Sequence, residues 1–222
     1  MVHLETNGER LATFLCSPTH LEALGIGYLV ASGFLQARDE LQSVHVLRSC
    51  DIIIDVHMAS RLAQEAGDLH AARRTQDATP VPLKGGPGFH ADELLAVMDR
   101  LLVSGEVFRR TGGTHFAAIV DPARGCQPVV FFEDIGRHNA IDKAVGGAFL
   151  GGHDLGRAGL AVSCRLSQEA LGKAARAGLP LVVSRAGPTD EAIALAEQLG
   201  ITLVGFARGG RMNMYTHAAR VV

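Results

Sequence analysis

Leu160-Ala161-Val162-Ser163-Cys164, Leu181-Val182-Val183-Ser184 and Thr202-Leu203-Val204-Gly205-Phe206 are short apolar runs, and the chain between them decides the fold. Residues 167–177 and 189–199 each have the length and patterning of a helix. Strands separated by helices of about ten residues call for right-handed parallel crossovers. The last third therefore reads as strand–helix–strand–helix–strand with its strands in parallel.

Upstream, apolar runs at 116–120 and 128–132 bracket a turn containing Pro122 and Gly125. Residues 91–104 place Leu94, Leu95, Met98, Leu101 and Leu102 on one helical face. Residues 43–47 and 52–56 read as paired strands around Ser49-Cys50-Asp51. Residues 2–16 read as one strand ending at Cys16, after which Ser17-Pro18 supplies an N-cap and a first-turn proline to a helix over 19–32, stopped by Gly33. The expected sheet is mixed, antiparallel early and parallel late. Over 67–89 periodicity disappears among Pro80, Pro82, Gly85, Gly86, Pro87 and Gly88, which predicts a functional or mobile loop.

A hydrophobic fraction of 47% with 5% aromatic residues and no Trp fits a core of Ala, Val, Leu and Ile, as in helices packed on a sheet. The expected class is α/β, a mixed sheet with flanking helices, in one large or two small domains over 222 residues. A net charge of −2 with no run of Lys or Arg argues against a nucleic-acid partner. No apolar stretch is long enough for a membrane span and no leader is visible, so a cytoplasmic protein is expected. The four cysteines, Cys16, Cys50, Cys126 and Cys164, are too dispersed for a zinc ribbon or a redox pair.

The densest polar block is Glu133-Asp134-Ile135-Gly136-Arg137-His138-Asn139-Ala140-Ile141-Asp142-Lys143, set between hydrophobic stretches. Asp134 is placed to cap a helix over 136–149. His138 and Asp142 are four apart on that helix, so the carboxylate could orient the imidazole. No set of metal ligands can be assembled around them from spacing. Two further loops, Arg109-Arg110-Thr111-Gly112-Gly113-Thr114-His115 and Arg208-Gly209-Gly210-Arg211, put paired glycines between cations. Glycines let backbone N–H groups converge and guanidinium forks match phosphate oxygens, so both loops suit an anion; paired glycines also serve plain tight turns. Nucleophile-elbow, P-loop and zinc-deaminase motifs are absent.

These motifs, with Ser163-Cys164-Arg165-Leu166-Ser167 and 203–216, resemble the FdhD/NarQ formate dehydrogenase accessory proteins over most of the chain. The resemblance implies one domain over 1–222 with a small N-terminal subdomain at about 1–60. It also implies a cytidine-deaminase-like core without zinc, and a homodimer. It further implies a sulfurtransferase-class factor that binds molybdenum bis(molybdopterin guanine dinucleotide) as cargo, with GDP as surrogate. Its partners would be a cysteine desulfurase and a formate dehydrogenase-type molybdoenzyme. The family's cofactor segment falls on Phe206, Ala207, Arg208, Gly209, Gly210 and Arg211. Thr111, Gly112, Gly113 and His115 are expected to line a nearby wall, and Glu133, Asp134, Arg137, His138, Asn139 and Asp142 to form the pocket's polar scaffold.

The family's Cys-Gly-x-Cys-Gly persulfide motif would fall within 67–89, where this sequence has no cysteine. Cys164, beside Arg165 and just before a helix, is a candidate substitute thiol, since cations and a helix N-terminus favour thiolate; the other reading is a packed small side chain. The alternative is a non-catalytic cofactor-binding paralogue that has lost sulfur transfer.

Overall fold

The computed structural model describes residues 1–59, 82–83 and 85–222. The predicted 67–89 loop lies mostly outside the described residues. Among them run ten strands and six α-helices. Four strands, β1 (Val2–Thr6), β2 (Glu9–Phe14), β3 (Leu41–Arg48) and β4 (Ile52–Met58), form their own sheet in the order β2-β1-β4-β3. The expected single strand over 2–16 is thus a hairpin. Asn7 and Gly8 turn it, with φ of 50° and 87°, the left-handed pair that two-residue hairpins require.

The second sheet contains β5 (His115–Asp121), β6 (Gln127–Asp134), β7 (Gly159–Val162), β8 (Leu181–Ser184), β9 (Thr202–Arg208) and β10 (Arg211–Thr216), in the order β10-β9-β8-β7-β5-β6. Pairings β7–β8 and β8–β9 are parallel, as the intervening helices demand, while β5 is antiparallel to both β6 and β7. The mixed character expected of one sheet is divided between two. Strand β10 lay beyond the sequence reading, which ended the sheet at Phe206.

Helix α1 (Leu21–Ala31) is followed by α2 (Ala91–Ser104), α3 (Glu106–Thr111), α4 (Arg137–Leu150), α5 (Gln168–Arg176) and α6 (Asp190–Leu199). Side chains alternate across the six-stranded sheet as the pleat requires. Ala117, Ile119, Leu160, Val162, Val182 and Leu203 enter a core shared with α1, α4, α5 and the N-terminal sheet. Phe116, Ala118, Val120, Ala161, Val183 and Val204 pack beneath α2 with Leu94, Val97, Met98 and Leu101. Val2, Leu4, Phe14, Ile54 and Val56 of the N-terminal sheet belong to that larger core.

Helices α1 and α4 cross at backbone contact. A Cβ at Gly27 would collide with the Asp142 carbonyl, and one at Gly146 with the Ala23 carbonyl. Helix α4 is buried along nearly its whole length after its first turn, which explains the weak amphipathic signature of its sequence.

Candidate functional site

The topology directs the ends of β6, β7, β8 and β9 to one edge of the sheet. Strand β5 begins there, since Ala117 pairs with Val162 and His115 with Asp134. The N-termini of α4, α5 and α6 follow β6, β7 and β8 at this carboxyl edge, where open α/β sheets commonly bind ligands. His115, Glu133 through Asn139, Ser163 through Arg165, and Phe206 through Arg211 are thereby gathered from four separate parts of the sequence. Asp142, a further helical turn along α4, lies below them.

Arg208 and Arg211 pair across the end of the β9–β10 hairpin, and Gly209 and Gly210 form its two-residue turn with φ of 60° and 72°. All four are exposed. The glycines meet the steric demand of the turn while leaving its backbone open to an anion flanked by two guanidinium groups. Ala207, by contrast, is buried beneath α2.

The other glycine pair differs. Arg109 and Arg110 lie within α3, and Gly112, with φ 63°, ends that helix in the left-handed conformation typical of C-caps. The Thr111 hydroxyl donates to the Val107 carbonyl at 2.8 Å and accepts from the Gly113 N–H at 3.0 Å. Thr111, Gly112 and Gly113 form an exposed helix exit leading to His115, three strand spacings from β9, or about 14 Å.

Glu133 and Asp134 act on backbone. The Glu133 carboxylate accepts from the N–H groups of Val107 and Phe108, at 3.0 and 2.7 Å, satisfying the N-terminus of α3, and from the Thr114 hydroxyl. Fully buried Asp134 accepts from the Gly136 N–H, the Asn139 amide and the Ser17 N–H, and pairs with Lys143 at 2.6 Å. Asn139 also donates to the Leu15 carbonyl, and Lys143 to the Ser17 carbonyl. Ser17 therefore caps no helix. Its hydroxyl accepts from Ile135 N–H, and α1 starts after left-handed His20.

The expected His138–Asp142 pairing does not form. Asp142 receives both of its bonds from Lys173 at 2.8 Å, and burial pushes its carboxyl upward against that partner. His138 Nδ1 lies instead 3.3 Å from Glu169 Oε1 without hydrogen-bond geometry. Burial holds its imidazole below the ordinary value, against the upward pull of Glu169.

His115 is half-buried. Burial first, and then the Arg137 guanidinium, push its pKa down. Its Nδ1 lies 3.5 Å from the Ser163 hydroxyl, which accepts from Phe116 N–H. Arg137 is exposed, as is Arg165, two residues after Ser163. The sequence reading missed Arg185 and Gly187 in the loop after β8; the signal was Gly187-Pro188, a turn at the end of a buried strand. Arg185 Nη1 lies 3.5 Å from Asp99 on α2, and Phe206 N–H donates to the Ala186 carbonyl.

Cys164 does not fit the role of activated thiol. It is 3% exposed, and burial raises it to about 11 despite its backbone hydrogen bond and Arg137. Cys126 is buried and raised to about 12, and Cys16 is also raised. Cys50 alone is exposed, in the β3–β4 turn. Among the described residues no three His, Cys, Asp or Glu side chains gather to share a metal ion, and no helix is long and apolar enough to cross a membrane. A cavity of about 330 Å³ lies at the opposite edge, beside Arg220 and the 85–88 segment. Arg220 is committed there to the carbonyls of Pro180, Gly200 and Gly85.

A family model described as the FdhD/NarQ family matches residues 1–222. The chain is 32% identical over 235 residues to the protein named sulfur carrier protein FdhD of Methanothermobacter thermautotrophicus, covering 100% of this chain and 89% of that one. It is 35% identical over 242 residues to the protein of the same name in Shouchella clausii, covering 99% and 87%. A crystal structure of a proposed formate dehydrogenase accessory protein from Desulfotalea psychrophila superposes with a TM-score of 0.81 at 24% identity. It covers 100% of this chain and 88% of that one, a likeness in fold.

Proposed function

The chain belongs to the FdhD/NarQ family, and from that premise we propose that it is a cytoplasmic accessory factor in formate dehydrogenase maturation. Its cargo is molybdenum bis(molybdopterin guanine dinucleotide), held along the carboxyl edge of the six-stranded sheet. The observation that carries this reading is the convergence there of the open Arg208-Gly209-Gly210-Arg211 turn with His115, Arg137 and Arg165. An edge of about 14 Å with cations at both ends suits an elongated anion. The β6-β5-β7-β8-β9 order, with helices following β6, β7 and β8, supports a cytidine-deaminase-like core.

The test is calorimetric titration with GDP, which presents the base and diphosphate of half the cargo. Binding that is lost when Arg208 and Arg211 are both replaced by Ala supports the site. Unchanged affinity in that variant means that the diphosphate lies elsewhere.

The second reading, cargo binding without a sulfur-carrying thiol of its own, is favoured by the cysteine environments. Cys126 and Cys164 are buried with raised pKa values, and Cys50 lies on the other sheet. In that reading sulfur reaches the cargo from a partner's cysteine, either of a desulfurase or of a second carrier. Mass spectrometry after incubation with a cysteine desulfurase and cysteine decides it. A stable gain of about 32 Da on any cysteine of this chain restores the direct carrier.

A further inference from the structure

The antiparallel ladder between β5 and β7 ends on a side chain. Ala117 pairs with Val162, and one step further the Ser163 N–H donates to the Phe116 carbonyl at 3.2 Å. The return bond runs from the Phe116 N–H to the Ser163 hydroxyl at 3.0 Å. Two bonds to one residue of β5 therefore fix the Ser163 Oγ next to the residue that precedes Phe116. That residue is His115, whose Nδ1 lies 3.5 Å from the same Oγ.

A hydroxyl has one hydrogen to give and two lone pairs to offer. The Phe116 N–H takes one lone pair, which leaves the hydrogen for an acceptor, and among the described residues His115 Nδ1 is the one within reach. An imidazole that accepts at Nδ1 carries its proton on Nε2, at the tip of the ring. The opposite tautomer would set Nδ1–H against Oγ and leave the hydrogen of a half-buried hydroxyl without a protein acceptor among these residues. The neutral state is favoured as well, because burial and the Arg137 guanidinium hold the imidazole below its ordinary pKa.

His115 opens β5 at the carboxyl edge. The charge of Arg137 reaches His115, His138 and Cys164 alike, and among the described residues its guanidinium has no hydrogen-bond or ion-pair partner. Resting on the cargo-binding reading above, we propose that Ser163 is a positioning residue that holds His115 in the Nε2–H tautomer, so that a neutral imidazole donor and the Arg137 guanidinium together receive an oxyanion of the ligand. The imidazole supplies direction and the guanidinium charge. Protonation reverses the hydroxyl, which has a second lone pair for Nδ1–H, so the contact at Nε2 survives acidification.

The experiment is nitrogen NMR of the whole protein carrying isotope-labelled histidine at about pH 8, above the imidazole range, with His115→Gln identifying the signals. The parent should show His115 with a bare Nδ1 and a protonated Nε2. Ser163→Ala should admit the Nδ1–H form, and Ser163→Thr, which keeps the hydroxyl and with it the bond from Phe116, should restore the parent pattern. A protonated Nδ1 in the parent, or a parent pattern unchanged in Ser163→Ala, overturns Ser163 as the positioning residue, and the first of these requires no variant to fold. Inorganic phosphate added to the parent should move the Nε2 signal, and Arg137→Gln should raise the phosphate needed for half the shift roughly ten-fold. An Nε2 signal indifferent to phosphate, or an equal response in Arg137→Gln, overturns the oxyanion site. Failure of GDP to bind in calorimetry overturns the cargo-binding reading instead, while the tautomer is read on ligand-free protein, so the two failures are distinct.

Discussion

Lys143 Nζ lies 2.6 Å from Asp134 Oδ2, and both side chains are completely shielded from solvent. Asp134 ends β6 and Lys143 lies in α4, so the pair ties the strand to the helix at the carboxyl edge. Through Ser17 it also binds the segment leading into α1. Removing one partner leaves a buried charge uncompensated. Lys143→Met should lower the unfolding free energy by about 3–5 kcal/mol in urea titrations. A loss under about 1 kcal/mol would deny the pair this fastening role.

The α1–α4 crossing tolerates no side chain at its two glycines. Gly146→Ala drives a methyl into the Ala23 carbonyl and Gly27→Ala into that of Asp142, both backbone atoms that cannot rotate aside. Each should destabilise by about 3 kcal/mol or more, the upper end of overpacking costs, although alanine is the better helix former. Thermal unfolding of the two variants measures this, and an unchanged or raised melting temperature would contradict the crossing.

His115 gives the candidate site a pH signature of definite sign. Burial and Arg137 hold its folded-state pKa below 6.5, so the folded protein takes up a proton less readily than the unfolded chain. Its contribution to stability is full above about pH 6.5 and is lost as pH falls toward the depressed value. An anion bound beside it favours the imidazolium, so acidification should favour GDP binding through this residue. The ligand titrates too, so the measurement is the difference between parent and His115→Gln across pH 5.5–7.5, roughly the imidazole range. The parent should gain relative to the variant as pH falls; parallel curves would place His115 outside the ligand's reach.

Thiol chemistry should follow burial. Cys50 should react with a maleimide in the native protein, whereas Cys126 and Cys164, raised to about 12 and about 11, should react only after unfolding. Peptide mapping after brief labelling checks this. Native modification of Cys164 at a rate comparable to Cys50 would reopen it as a sulfur carrier.

The parallel half of the sheet was legible because buried four- and five-residue runs alternate with helices of regular period. Helix α2 was equally plain, since its apolar face meets one sheet and its polar face meets water. Separate sheets were not legible, because local pattern does not encode which strands pair at a distance, such as Val2 with Ile52. Strand β10 was hidden by its mostly exposed Arg211-Met212-Asn213-Met214 run, and the β1–β2 hairpin was missed although Asn7-Gly8 announced it.

At the site, the glycine–arginine turn could be found from chemistry alone. The partners of Asp142 could not, because helical spacing offered His138 while tertiary packing supplied Lys173 from α5. The surroundings of Cys164 were hidden for a related reason. Neighbouring Arg165 and the following helix favour thiolate, but the buried end of β7 imposes a larger opposing desolvation.

The central claim is that the carboxyl edge of the six-stranded sheet receives the diphosphate and base of the cargo. A crystal structure of the protein with GDP tests it most directly. Phosphate oxygens are expected at the Gly209-Gly210 turn between Arg208 and Arg211. GDP seated instead in the cavity beside Arg220 and the 85–88 segment, at the opposite edge, would contradict it.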